Sequence, residues 1–192
     1  MLRIVLTGGA CAGKTTLAHA LARRGARMVP EAAMQVIAML RDELGLEQQA
    51  RWRAAHVIEF QRRIARLQQE SESHALLSSA PRVVYDRALP DGIAYFRHAR
   101  VEPPEELLEL ARQAAYDAVF VLDTLRDFRA RSDSGRLDDR GVSLALRDAL
   151  LEVYRDLGYV PKLVPEMTIG ERLLWIEREL ERMGWSQHRA SS

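Results

Sequence analysis

Apolar residues recur along this chain in two alternating rhythms. Short, largely apolar runs lie at 2–6 (LRIVL), 26–30 (ARMVP), 82–86 (RVVYD), 118–123 (AVFVLD) and 159–164 (YVPKLV). Their length and β-branched content are those of strands buried in a parallel sheet. Between them the apolar positions shift to helical spacing. A first helix is expected over 15–24, stopped by Gly25, and a second over 31–42. The longest is expected over 47–77, where Val57, Phe60, Ile64 and Leu67 share one face and Arg51, Arg62, Arg63 and Arg66 the other. Further helices are expected over 91–98, from Pro103–Pro104 to about 115, along the stripe Leu146, Leu150, Val153 and Leu157, and along Leu173, Ile176, Leu180 and Met183.

Strands that alternate with helices predict an α/β fold: a five-stranded, mainly parallel sheet with helices on both faces. Pro161 places the fifth run at an edge, because it cannot donate to a ladder. No repeat or linker interrupts the pattern. One domain is expected over 1–183, followed by a frayed tail, 184–192.

The first apolar run opens into LTGGACAGKTT. The spacing Gly8-x-x-x-x-Gly13-Lys14-Thr15 is that of a phosphate-binding loop, the Walker A pattern, and it makes the expected fold a three-layer P-loop NTPase. A strand delivers the chain into a glycine-rich turn, and a helix starts at the lysine. Backbone N–H groups then face the phosphates, and the helix start adds positive potential. Gly8, Gly9, Ala10, Cys11, Ala12, Gly13, Lys14, Thr15 and Thr16 are the candidate cradle. Lys14 is expected at the β- and γ-phosphates, and the Thr15 hydroxyl on Mg²⁺. A dinucleotide fingerprint needs a third-position glycine, and residue 10 is alanine. Cys11 reads first as a small tolerated side chain and second as a redox-sensitive thiol.

Composition narrows the partners. The chain has 192 residues, 47% hydrophobic and 29% charged, with a formal net charge of +1. No global field draws it to nucleic acid or to acidic membranes, and no basic stripe with interleaved aromatics is present. Lys14 and Lys162 are the only lysines among 28 basic residues; the rest are arginine. A lysine kept at position 14 fits a compact ammonium beside phosphates. The single cysteine permits no intrachain disulfide. No apolar run spans a bilayer and no signal region opens the chain, so the expected compartment is the cytoplasm.

Acids fall where the strands end: Glu31 after the second, Asp86 with Arg87 after the third, Asp123 after the fourth. Ligands of open α/β sheets bind beyond these ends. Phosphoryl transfer needs an acid near Mg²⁺ and a base for the attacking hydroxyl, so Glu31 and Asp86 are candidates for both tasks. Asp123 also reads as a cap for the segment that follows.

Gly8–Thr15, VPEAA and YDRALPD together resemble the nucleoside- and nucleotide-kinase group of P-loop proteins, in particular a small ATPase/kinase-like family related to the ribosylnicotinamide kinase domain. The resemblance covers roughly 1–180. It implies that Glu31 is the base for the acceptor hydroxyl, that Asp86 acts near Mg²⁺, and that Arg87 acts near the transferred phosphoryl group or substrate. It also implies a lid at 124–141 whose arginines, Arg126, Arg129 and Arg131 above all, neutralise charge developing in transfer. The plainer account of that segment is a solvated, ion-paired loop.

A base pocket is expected around 165–169. No [NT]-K-x-D motif is present, which favours ATP over GTP. An acceptor site is expected between Glu31, the helix at 31–42 and the long helix, lined by Trp52, Arg53, His56, Phe60 and Gln61. For Trp52 and Phe60, core packing is the simpler reading. The function expected first is phosphotransfer from Mg-ATP to a small nucleoside- or riboside-like acceptor. A nucleotide-controlled switch or partner-binding ATPase stands second, and a nucleic-acid 5′-kinase last.

Overall fold

The computed structural model describes residues 1–125 and 140–185. In chain order these form β1 (Leu2–Gly8), α1 (Lys14–Ala22), β2 (Arg27–Val29), α2 (Ala32–Leu44), α3 (Leu46–Ala55), α4 (Val57–Leu76), β3 (Arg82–Asp86), α5 (Asp91–Ala99) and α6 (Glu105–Gln113). Then follow β4 (Ala118–Leu122), α7 (Arg140–Asp156), β5 (Lys162–Val164) and α8 (Ile169–Arg182).

The strands form one sheet in the order β2-β3-β1-β4-β5, and every pairing is parallel. β1 and β4 are buried along almost their whole length because they are covered on both faces. Side-chain alternation divides the core in two. Leu2, Ile4 and Leu6 join Phe120 and Leu122 against Leu17 and Leu21 of α1 and Leu173, Ile176 and Leu180 of α8. Val5, Val83, Val119 and Val121 face the other way, onto Ile93 and Phe96 of α5, Leu107 of α6 and Leu146, Leu150 and Val153 of α7. The result is the expected three-layer arrangement, with β5 at an edge as Pro161 implied.

Connections run to one side of β1 for β2 and β3, and to the other side for β4 and β5. The carboxyl end of β1 therefore lies at the switch point, where an open sheet leaves a crevice.

The helix expected over 47–77 is two helices. His56 breaks it, with φ −125° and ψ 50°. Its Nδ1 lies 2.9 Å from the Trp52 carbonyl oxygen, and its ring stacks on the Trp52 indole with centroids 4.9 Å apart. The backbone bonds on either side are kept, His56 N–H donating to the Trp52 carbonyl oxygen and Phe60 N–H to the His56 carbonyl oxygen, each at 2.9 Å, so the break is one of dihedral angle at a position without glycine or proline. In α4 the buried residues are Gln61, Gln68 and Ala75, offset from the apolar stripe read from the sequence.

Among the described residues no helix is long and apolar enough to cross a membrane. Phe120 is fully buried and meets Trp175 edge-on at 6.1 Å. Phe120→Ala is expected to lower unfolding free energy by about 3–5 kcal/mol, whereas Met39→Ala, at a 52% exposed position, stays within about 0.5 kcal/mol; urea melts of both variants check the contrast.

Candidate active site

β1 ends at Gly8, and two close approaches shape the loop that follows. Gly8 has φ 138°, and a Cβ there would stand 2.5 Å from the Leu122 carbonyl oxygen of the neighbouring strand. A Cβ on Gly9 would collide with Ser143 of α7. Only glycine lets the loop pass between β4 and α7. Ser143 Oγ donates to the Ala10 carbonyl oxygen at 3.1 Å and lies 3.3 Å from Thr124 Oγ1. α7 is thus fastened to the loop at its first turn.

α1 starts at Lys14 without a side-chain cap and without an acid in its first turn. Such a helix start offers its amides to an anion. Lys14 is buried, and its Nζ donates to the Gly9 carbonyl oxygen at 2.6 Å, so the ammonium arches over the loop.

Thr15 Oγ1 donates to Asp86 Oδ2 at 2.5 Å. Asp86 is fully buried at the end of β3, and its Oδ1 has no hydrogen-bond partner among the described residues. Burial pushes its carboxyl above the usual aspartate range, against the pull of nearby Lys14. A hydroxyl and a carboxylate with an unused oxygen are hard donors that fit Mg²⁺. No group of three or more His, Cys, Asp or Glu that could hold a metal occurs among the described residues. A cation here would complete its sphere with water and ligand oxygens, as Mg²⁺ does.

Beside Asp86 the chain turns through Arg87, whose φ is 69°. The left-handed backbone is uncommon for a large side chain and is held by its bonds. Arg87 N–H donates to the Leu6 carbonyl oxygen at 2.9 Å. Nε donates to Glu31 Oε1 at 2.9 Å, and Nη1 to Asp91 Oδ1 at 3.1 Å. Asp91 also accepts from Thr7 Oγ1, from Ala88 N–H at 3.3 Å and from Tyr154 Oη at 2.7 Å. One buried carboxylate thereby joins β1, the turn after β3 and α7. Glu31, Arg87 and Asp91 are each less than a tenth exposed.

This network borders a small cavity of about 30 Å³, lined by Glu31, Gln61, Ile64, Gln68, Arg87 and Tyr95 among others. Arg87 Nη2 is buried there without a hydrogen-bond partner among the described residues. Of the five residues expected to line an acceptor site, Gln61 lines this cavity. Trp52, Arg53, His56 and Phe60 do not: Trp52 stacks on His56 and under Arg63, and Arg53 lies over Phe60.

On the other side of the loop lies a wider cavity of about 660 Å³, lined by Asp123, Thr124, Arg140, Leu144, Arg147, Pro165 and Glu166. Two of these, Pro165 and Glu166, fall in the segment expected to form a base pocket. Asp123 accepts from Thr124 N–H at 2.8 Å and from Arg147 Nη1 at 2.5 Å, and most of the segment it was expected to cap lies outside the described residues. Arg126, Arg129 and Arg131 lie outside the described residues, as does most of the expected lid.

Sequence reading missed Asp91, Ser143, Tyr154 and Arg172. Asp91 had a signal, since it stands four residues after Arg87 at a helix start within the DRALPD stretch. The others had none, because a serine, a tyrosine and an arginine on amphipathic helices read as ordinary positions.

Three comparisons bear on this arrangement. No curated protein matches the sequence. Solved structures share the fold at low identity. Deoxyadenosine kinase from M. mycoides with bound dATP superposes with a TM-score of 0.66 at 15% identity, covering 94% of this chain and 100% of that one. Thymidylate kinase from Ehrlichia chaffeensis gives 0.60 at 15% identity, covering 93% and 98%. The NadR protein in complex with NAD and AMP-PNP gives 0.66 at 16% identity, covering all of this chain and 52% of that one. The chain therefore shares the fold of these proteins. A family model described as an AAA domain matches residues 3–172, and the chain belongs to that family.

Proposed function

We propose that this chain is a P-loop phosphotransferase that moves the γ-phosphate of Mg-ATP to a hydroxyl of a small, uncharged acceptor of the nucleoside or riboside type. The observation that carries the reading is the order of groups along the carboxyl edge of the sheet. Glu31 follows β2, Asp86 and Arg87 follow β3, the glycine-rich loop follows β1, Asp123 follows β4 and Pro165 follows β5. A donor site and an acceptor site thus flank one phosphate cradle.

On this reading the loop from Gly8 to Thr16 and the Lys14 ammonium take the triphosphate, whose nucleoside end lies toward Pro165 and Glu166. Thr15 and Asp86 would hold Mg²⁺, which would neutralise charge on the phosphates. The acceptor oxygen attacks the γ-phosphorus, its proton passes to the Glu31 carboxylate, and the bond to the β–γ bridging oxygen breaks to release ADP. Arg87 keeps Glu31 at the rim of the small cavity. Arg126, Arg129 and Arg131, which come after β4 in the sequence and lie outside the described residues, would add charge to the transition state.

Charge defines the acceptor. The small cavity is lined by two carboxylates, Glu31 and Asp91, against one guanidinium, Arg87, which both already engage. At about 30 Å³ the cavity admits little more than a water, so an acceptor would sit at its mouth, where a phosphomonoester would meet net negative charge. That favours a neutral hydroxyl compound.

Glu31→Gln is expected to lower transfer by about 10²-fold or more while leaving Mg²⁺·AMP-PNP binding near the wild-type value. Unchanged turnover in that variant would remove Glu31 as the base. In a panel of nucleosides, ribosides and their 5′-monophosphates, the uncharged compounds are expected to stimulate ADP formation and the monophosphates not. Stronger stimulation by the monophosphates contradicts the charge argument. No stimulation by any compound points instead to a nucleotide-dependent switch.

A further inference from the structure

Arg172 is fully buried in the first turns of α8. Its guanidinium donates to three backbone carbonyl oxygens from three separate segments. Nη1 reaches Ala12 in the glycine-rich loop at 2.5 Å. Nη2 reaches Asp123 at the end of β4 at 3.1 Å. Nε reaches Pro165 after β5 at 3.0 Å.

Two costs attend this placement. The acceptors are neutral carbonyls, so no bonded carboxylate offsets the loss of hydration of the buried charge. A cation near a helix start also opposes the helix dipole. A methionine could fill the volume without either penalty. What the arginine alone supplies is a planar fork that reaches three strand-end segments at once.

The start of α8 is itself fixed. Thr168 and Glu171 form a reciprocal capping box, with Thr168 Oγ1 accepting from Glu171 N–H at 3.3 Å and Glu171 Oε2 accepting from Thr168 N–H at 2.9 Å. The same turn packs beneath the loop: a Cβ on Gly13 would lie 3.5 Å from Ile169 Cδ1 and 3.6 Å from Arg172 Nη1. Arg172 therefore joins two bodies of known position, the phosphate cradle on one side and the Pro165–Glu166 wall of the wide cavity on the other.

We propose that Arg172 is a positioning residue of the donor site, setting the span between the loop that takes the triphosphate and the segment that flanks the nucleoside end. The inference rests on the donor assignment made above. A ligand held at both ends gains from both only when the two walls stand at the right spacing. A ligand held at the phosphate end alone is indifferent to that spacing.

The test measures calorimetric Kd values of Mg²⁺·AMP-PNP and Mg²⁺·tripolyphosphate for wild type, Arg172→Met and Arg172→Lys, with circular dichroism confirming the fold. AMP-PNP affinity is expected to fall roughly tenfold or more in Arg172→Met, and tripolyphosphate affinity by less than about threefold. Arg172→Lys keeps the charge but cannot span three carbonyls, and is expected to show the same selective loss at smaller size. If Arg172→Met does not fold, Arg172→Lys decides alone. Equal losses for the two ligands, or an unchanged AMP-PNP affinity, overturn the positioning role while leaving the donor assignment intact. A wild-type chain that binds tripolyphosphate but shows no gain from the nucleoside of AMP-PNP overturns both.

Discussion

Arg87 sits between Glu31 and Asp91 at 4% exposure, in a backbone conformation that few large residues adopt. Removing either carboxylate would leave a buried guanidinium short of charge compensation, the kind of change that costs several kcal/mol. The pair also fixes geometry. Glu31 opens α2, Asp91 opens α5, and Arg87 N–H is bound to the last turns of β1 through Leu6. The ion triad therefore sets where two helices begin relative to the central strand. The small cavity lies between those starts, and the triad supplies its charged lining beside Gln61, Gln68 and Tyr95.

On the opposite side the loop backbone meets close packing and hydrogen bonds rather than a buried ion triad. Gly8 and Gly9 permit backbone and side-chain approaches that any Cβ would block, and Ser143 closes one of them with a bond to Ala10. Through Tyr154 the same helix, α7, reaches Asp91. α7 is thus in contact with the loop at one end and with the acidic network further along. Arg172 performs the equivalent task from α8, but toward the wide cavity. The two sides differ in physics: a buried ion triad organises the Glu31 side, whereas the Pro165 side combines the part-exposed Arg147–Asp123 pair with side-chain hydrogen bonds to backbone carbonyls.

What could be read from residues alone followed from local rules. Five apolar runs marked the strands, Pro161 marked an edge, and a strand–glycine–lysine–helix sequence marked the loop. The acids at the strand ends were visible because carboxylates after apolar runs are conspicuous. His56 was not visible as a break, since nothing in its neighbours interrupts helical spacing and the stacking on Trp52 is a local option among several. Trp52, Arg53, His56 and Phe60 were therefore grouped with Gln61, whose cavity they do not line. Gln61 and Gln68 carry the buried face of α4, and glutamines give no periodic apolar signal.

By itself the sequence determined the element types, the parallel class of sheet and the identity of the glycine-rich loop, because each depends on residues close together in the chain. Tertiary structure alone decided the strand order, the triad around Arg87, the contact of Ser143 with the loop and the burial of Arg172. Those depend on pairings across 56 residues for Glu31 and Arg87 and 160 residues for Ala12 and Arg172, where an arginine on an amphipathic helix is indistinguishable from a solvated one until the strands are placed.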